Sequence, residues 1–211
     1  MKRKMLYLGL ITVITVFGTV AWTMAARAGY ESAEYKVVES DGDIEIREYP
    51  DLMLAATSSK MDSQGRDGSF MRLFRYISGN NEGDQKIAMT TPVFMEGENG
   101  LSDVSMGFVM PKEVAVEGVR DPKSDGVQIR EREGGRFAVI RFSGRMDAKL
   151  AEQQEVKLRD WMKARGLNAE AKAEAAGYDP PFTPGPLRRN EILIRLKQPS
   201  GESQTEPVPN E

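Results

Sequence analysis

Apolar residues recur with two different periods along this chain. In "VVESDGDIEIREY", Ile44 and Ile46 alternate with Glu45 and Arg47, the period of a strand with one buried face. Asp41-Gly42 interrupts the alternation and predicts a hairpin, because a type I′ turn needs positive φ at both central positions. "DLMLAATSS" follows as a further strand. The period then lengthens. Phe70, Leu73, Phe74 and Ile77 in "RDGSFMRLFRYISG" predict a helix that buries this stripe and closes at Gly79. After the polar "GNNEGDQ", the stretches "KIAMTTPVFM" and "SDVSMGFVMP" return to strand length, with Val104, Met106, Phe108 and Met110 on one face.

The second half repeats this order. "GVQIRER" and "RFAVIRFSG" flank Gly134-Gly135 and predict another hairpin. "DAKLAEQQEVKLRDWMKARG" predicts a helix capped by Asp147, with Leu150, Leu158, Trp161 and Met162 on one stripe and a stop at Gly166. "NEILIRLK" closes the core as a strand. Helix starts near Arg66 and Asp147 differ by 81 positions, and final strands starting near Asp103 and Asn190 differ by 87. That near-constant offset decides "AEAKAEAAGY", which helix propensity and two-residue alternation read oppositely. It occupies the slot of "KIAMTTPVFM" and is therefore a strand. The expected class is α+β: a duplicated ββαββ unit whose strands form one curved sheet or barrel with the helices outside.

"KIAMTTPVFM" has unequal faces. Ile87, Met89, Thr91, Val93 and Met95 make one side bulky, whereas Ala88, Thr90 and Pro92 keep the other small. The small face would let the helix over 69–78 pack closely; the alternative is a surface that meets a ligand.

Composition narrows the function. The chain of 211 residues has a net charge of −3, with neither cysteine nor histidine. An acidic balance argues against a nucleic-acid partner. The missing residues exclude disulfides, thiolate centres and imidazole ligands or bases. There is no G-x-S-x-G elbow and no glycine-rich phosphate loop, so any hydrolase would have to work through a buried carboxylate. At the N-terminus, Lys2, Arg3 and Lys4 precede an uncharged run of 22 residues, Met5 to Ala26. As a helix it would span roughly 33 Å, enough to cross a bilayer core, with the basic cluster inside. Ala26-Arg27-Ala28 also fits a small-x-small cleavage site. Residues 1–28 are thus expected to be a signal peptide or an anchor to the cytoplasmic membrane. Residues 29–197 then form an extracytoplasmic domain, periplasmic or secreted, and the acidic, proline-bearing stretch 198–211 a disordered tail.

Three separated motifs, "VVESDGDIEIREYPD", "FMRLFRYISGNNE" leading to "KIAMTTPV", and "YDPPFTPGPLRRNEILIRL", resemble the SOUL haem-binding proteins in the same order. The likeness covers roughly Glu34 to Lys197. It implies a distorted β-barrel flanked by two helices, similar to bacterial effector-binding domains that accept small hydrophobic molecules. It also implies binding of haem or another tetrapyrrole; the alternative is a receptor for a different hydrophobic small molecule. Some family members are associated with an axial histidine, and this chain has none. Arg72, Arg75 and Lys86 are then the expected partners of tetrapyrrole carboxylates, since guanidinium groups grip carboxylates in a fork. Met53, Met71, Met89 and Met95 are thioether candidates for iron, against the plainer reading of methionine as core filler. Arg188 and Arg189 are expected to anchor the last loop by pairing with acids or carbonyls.

Overall fold

A computed structural model of the chain describes residues 30–60, 68–97, 103–180 and 182–197. The expected leader or anchor and the expected tail lie outside the described residues. Among the described residues no helix is long and apolar enough to cross a membrane.

Strands β1 (Glu31–Ser32), β2 (Lys36–Asp41), β3 (Ile44–Tyr49) and β4 (Leu52–Lys60) precede helix α1 (Ser69–Ile77), and β5 (Thr90–Thr91), β6 (Val93–Gly97) and β7 (Asp103–Val109) follow it. After a short helix α2 (Lys112–Glu117) come β8 (Gln128–Arg132), β9 (Gly135–Phe142), α3 (Ala148–Ala164), β10 (Ala169–Gly177) and β11 (Asn190–Leu196). Nine of these strands form one antiparallel sheet in the order β2-β3-β9-β11-β10-β6-β7-β4-β8. Leaving out β2, that order maps onto itself when β3, β4, β6 and β7 exchange with β8, β9, β10 and β11. The duplication expected from the offsets is therefore present in the pairing, with its pseudo-twofold between β6 and β10. β10 is a strand, as the repeat requires.

Three expectations need correction. The sheet ends at β2 and β8, so no closed barrel forms among the described residues, and three α-helices stand where two were expected. β8 and β9 do not pair as a hairpin; β8 lies against β4, while β9 lies between β3 and β11. Each unit sends its first strand to the other half of the sheet, so the β3–β4 and β8–β9 connections are crossovers that meet. A Cβ on Gly134 would come within 2.5 Å of the Tyr49 carbonyl oxygen, and the Gly134 N–H donates to Asp51 at 2.7 Å. The glycine pair serves that close approach rather than a turn. The true hairpin, β2–β3, carries its two-residue loop at Gly42 and Asp43, one position later than expected, with positive φ only at Gly42.

Both sheet faces are covered. On one side α1 and α3 bury Leu73, Tyr76, Ile77, Ala151, Leu158 and Met162 against Phe108, Ile140, Ile192 and Ile194. Asp147 caps α3 by accepting from the Leu150 N–H at 2.8 Å. Phe74, expected in the buried stripe of α1, is instead 43% exposed. The other side gathers Tyr49, Leu54, Phe94, Phe137, Val139 and Leu193. It also holds two buried ionic groups. The Arg47 guanidinium donates to Glu191 at 2.8 and 2.9 Å, to Glu45 at 2.7 Å and to the Tyr49 hydroxyl at 3.0 Å. Arg132 donates to Glu174 at 2.6 and 2.9 Å and lies over the rings of Phe94 and Phe137.

Candidate functional site

"KIAMTTPVFM" is not one continuous strand. Thr90–Thr91 (β5) pairs in parallel with Glu31–Ser32 (β1), and Pro92, joined to Thr91 by a cis peptide bond, separates β5 from β6. Proline has no N–H for a ladder. The Thr90 hydroxyl donates to the Val109 carbonyl at 2.6 Å, and Thr91 accepts the Ala33 N–H at 2.8 Å and shares a hydroxyl hydrogen bond with Ser32 at 3.0 Å. These bonds fix the backbone on which Met89 and Thr91 project. α1 packs on β4 and β7.

An open cavity of about 320 Å³ lies over the β6–β10 seam. Its floor crosses four strands through Met106, Val93, Met95, Gly177 and Asn190; α1 supplies Phe70 and Phe74, and Met146 enters ahead of α3. Val93 pairs with Gly177 and Met95 with Ala175, so the small β10 partners leave room above the bulkier β6 residues. The cavity therefore meets the bulky face of "KIAMTTPVFM", Met89, Thr91, Val93 and Met95, and not the small one. Tyr30, Phe74 and Phe182 stand at the rim, 39%, 43% and 81% exposed.

The last wall is the loop between β10 and β11, which contributes Tyr178, Asp179, Pro180, Phe182 and Arg188. Arg188 donates to the Thr183 carbonyl at 2.9 Å, and the Arg189 N–H donates to Asp179 at 2.7 Å, so both arginines anchor the loop as their positions imply. Burial, with Arg145 nearby, holds the Arg188 pKa below its ordinary value. The Tyr178 hydroxyl donates to Glu191 at 2.8 Å, which ties the cavity wall to the buried Arg47 group. Burial and the Glu191 carboxylate push the Tyr178 phenol well above its usual pKa, so it stays a neutral donor. For Arg47, burial opposes charge, but the bonds and field of Glu191 win and hold it protonated.

Of the residues expected from the sequence to meet carboxylates or iron, Met89 and Met95 line this cavity. Met71, Arg75 and Lys86 are exposed and lie outside its lining. Arg72 is also outside it, and donates to the Thr57 hydroxyl at 3.0 Å and the Ser58 carbonyl at 2.6 Å, holding α1 to β4. Met53 packs at the edge of the helix-side core. Tyr30, Met146 and Phe182 belong to the cavity without having been picked out, while Met106 had been read only as a strand-face residue and Arg188 only as a loop anchor. Only Phe182 carried a local signal, an aromatic in a proline-rich loop.

Fold and cavity define a class: a duplicated α+β domain with one apolar cleft at its seam, open between a helix and the penultimate loop. The chain belongs to the SOUL heme-binding protein family, whose model matches residues 30–195. It is 30% identical to human (Homo sapiens) heme-binding protein 2 over 196 residues, covering 85% of this chain and 93% of that one. It is 28% identical to heme-binding protein 1 of Xenopus tropicalis over 175 residues, 78% and 91% of the two chains. Among solved structures it is similar to the C-terminal domain of EcmrR, with a TM-score of 0.54 at 11% identity over 78% of this chain and 98% of that one. A protein described as a hydrolase from Listeria innocua gives 0.53 at 13% identity over 76% and 94%. These two likenesses establish the fold alone.

Proposed function

We propose that this domain binds haem or a related tetrapyrrole in the cavity over the β6–β10 seam, and does so outside the cytoplasmic membrane. The observation that carries the reading is the cavity itself: apolar walls, an aromatic rim and an open mouth, on a member of a family whose relatives are named for heme binding. At about 320 Å³ it is at the low end of small-molecule sites, so a macrocycle enters by one edge and leaves the rest against Phe74 and Phe182. The donor set suits the ring better than the metal. With no histidine in the chain, the lining offers thioethers, the Tyr30 and Tyr178 phenols and the Asp179 carboxylate; the Tyr178 hydroxyl is bonded to Glu191, and Asp179 accepts from the Arg189 N–H. Apolar contact with the ring faces is then the main source of affinity, and iron adds little.

Absorbance and fluorescence titration of the full chain tests this. Metal-free protoporphyrin should bind within about tenfold of haem, a difference of roughly 1.4 kcal/mol. Failure of both rings to bind at micromolar concentration would transfer the cavity to a different hydrophobic small molecule. The extracytoplasmic setting rests on Lys2 to Ala28. A reporter fused after Ala28 should be active outside the membrane, and activity confined to the cytoplasm would remove that part of the proposal.

A further inference from the structure

Methionine is ordinarily a core filler, and Met110 and Met162, buried and away from the cavity, fit that description. Four others do not. Met89, Met95, Met106 and Met146 come from four different segments and all line the same open cavity. Met95 and Met106 are direct partners across the β6–β7 ladder, which places their Cβ atoms about 5 Å apart on one face. The Ser69 hydroxyl lies 3.6 Å from the Met106 sulfur and donates to it, which orients that thioether. Met95, Met106 and Met146 are buried, whereas Met89 is only partly so, which makes the cavity methionine-lined from its interior outwards.

We infer that this cavity also holds a soft monovalent metal ion, Cu(I) or its analogue Ag(I), through thioether sulfur. Soft thioether ligands select Cu(I) over the harder divalent ions. The chain has no cysteine or histidine, and among the described residues no three acidic side chains cluster closely enough to hold a metal. Thioethers are neutral and the bound centre keeps its single positive charge. Phe70 and Phe74 border the same space, and their ring faces can stabilise a cation there. No electron is transferred in this binding step, and the ion enters already reduced.

The test is anaerobic titration of the full chain with Cu(I) against a chromophoric Cu(I) chelator, repeated with Ag(I). Methionine methyl groups are labelled with carbon-13 so that the responding side chains are identified. Leucine replaces methionine with little change in volume, so the double variant Met95→Leu/Met106→Leu should fold and should bind at least tenfold more weakly. The control Met110→Leu/Met162→Leu should bind as the parent does. One equivalent of metal, with methyl shifts at Met95, Met106 and Met146, is the expected result. The inference is overturned if the parent binds no more tightly than the Met95/Met106 variant, which would place any bound metal on other methionines. It is equally overturned if the control variant loses as much as the test variant. Tetrapyrrole titration of the same variants is a separate measurement, so loss of the metal site and loss of the proposed ring site are distinguishable.

Discussion

Replacing Arg47 by methionine removes the cation at the centre of the buried group while keeping most of its stem volume. The Arg47 side chain is 1% exposed, Glu191 is 6% and Glu45 is 9%, so water does not replace what is lost. Breaking a buried pair by removing one partner costs about 3–5 kcal/mol, because the other charge stays desolvated. Here two carboxylates are stranded, but each keeps a contact: Glu45 with Arg141 at 3.2 Å and Glu191 with the Tyr178 hydroxyl at 2.8 Å. The expected loss is therefore near the lower limit, about 3 kcal/mol, a large share of the roughly 5–15 kcal/mol that holds such a domain together. Urea unfolding followed by circular dichroism measures it, with the slope checked against the parent. Adding Glu191→Leu to the same chain should recover part of the loss, since apolar replacement of a whole buried pair is often neutral or better. A loss below about 1 kcal/mol for Arg47→Met would refute the reasoning, as would a double variant worse than the sum of the singles.

Three further substitutions probe the same fold. Leu73→Ala should cost roughly 2–5 kcal/mol as a fully buried residue of α1, whereas Phe74→Ala, a rim residue stacked on Phe70, should cost about 1 kcal/mol or less; equal losses in thermal melts would mean that α1 is rotated. Burial raises the Glu174 carboxyl above its usual value of 4.5, with Arg132 opposing and Glu96 reinforcing. The folded chain then holds that proton more tightly than the unfolded one, so stability falls as pH rises through the folded pKa. Glu174→Gln cannot titrate, and the parent should lose ground against it as pH rises from 4.5 through the folded pKa. A stability difference that is flat over this window would contradict the assignment.

What the sequence made legible was local or periodic. Ile44, Ile46, Leu73 and Leu158 announce their elements through spacing, Asp147 announces a cap, and the 87-residue offset between the last strands of the two halves turns "AEAKAEAAGY" into β10 against its own helix propensity. Strand order was not legible, because an apolar-polar alternation shows which face is buried but not which neighbour lies alongside. Gly134-Gly135 looks like a turn in the chain and is in fact the place where one crossover presses on another. The cavity suffered most. Its floor is shared by β6, β7, β10 and β11, and only three-dimensional pairing brings Met106, Met146 and Phe182 to Met89. Arg72 and Arg75 carry the charge suited to a carboxylate, but their helix turns them away from the cavity lining.

Phe182 offers the most direct test of the proposal that a tetrapyrrole binds in this cavity. It lines the cavity yet is 81% exposed, so Phe182→Ala should leave the melting temperature unchanged. Covering an exposed phenylalanine with ligand is worth about 1.5–3 kcal/mol, and each 1.4 kcal/mol corresponds to about tenfold in affinity. Titration of parent and variant with metal-free protoporphyrin and with haem should therefore show at least about a tenfold loss for both rings. Affinities equal to the parent's for both rings, in a variant that melts normally, would contradict binding at this cavity.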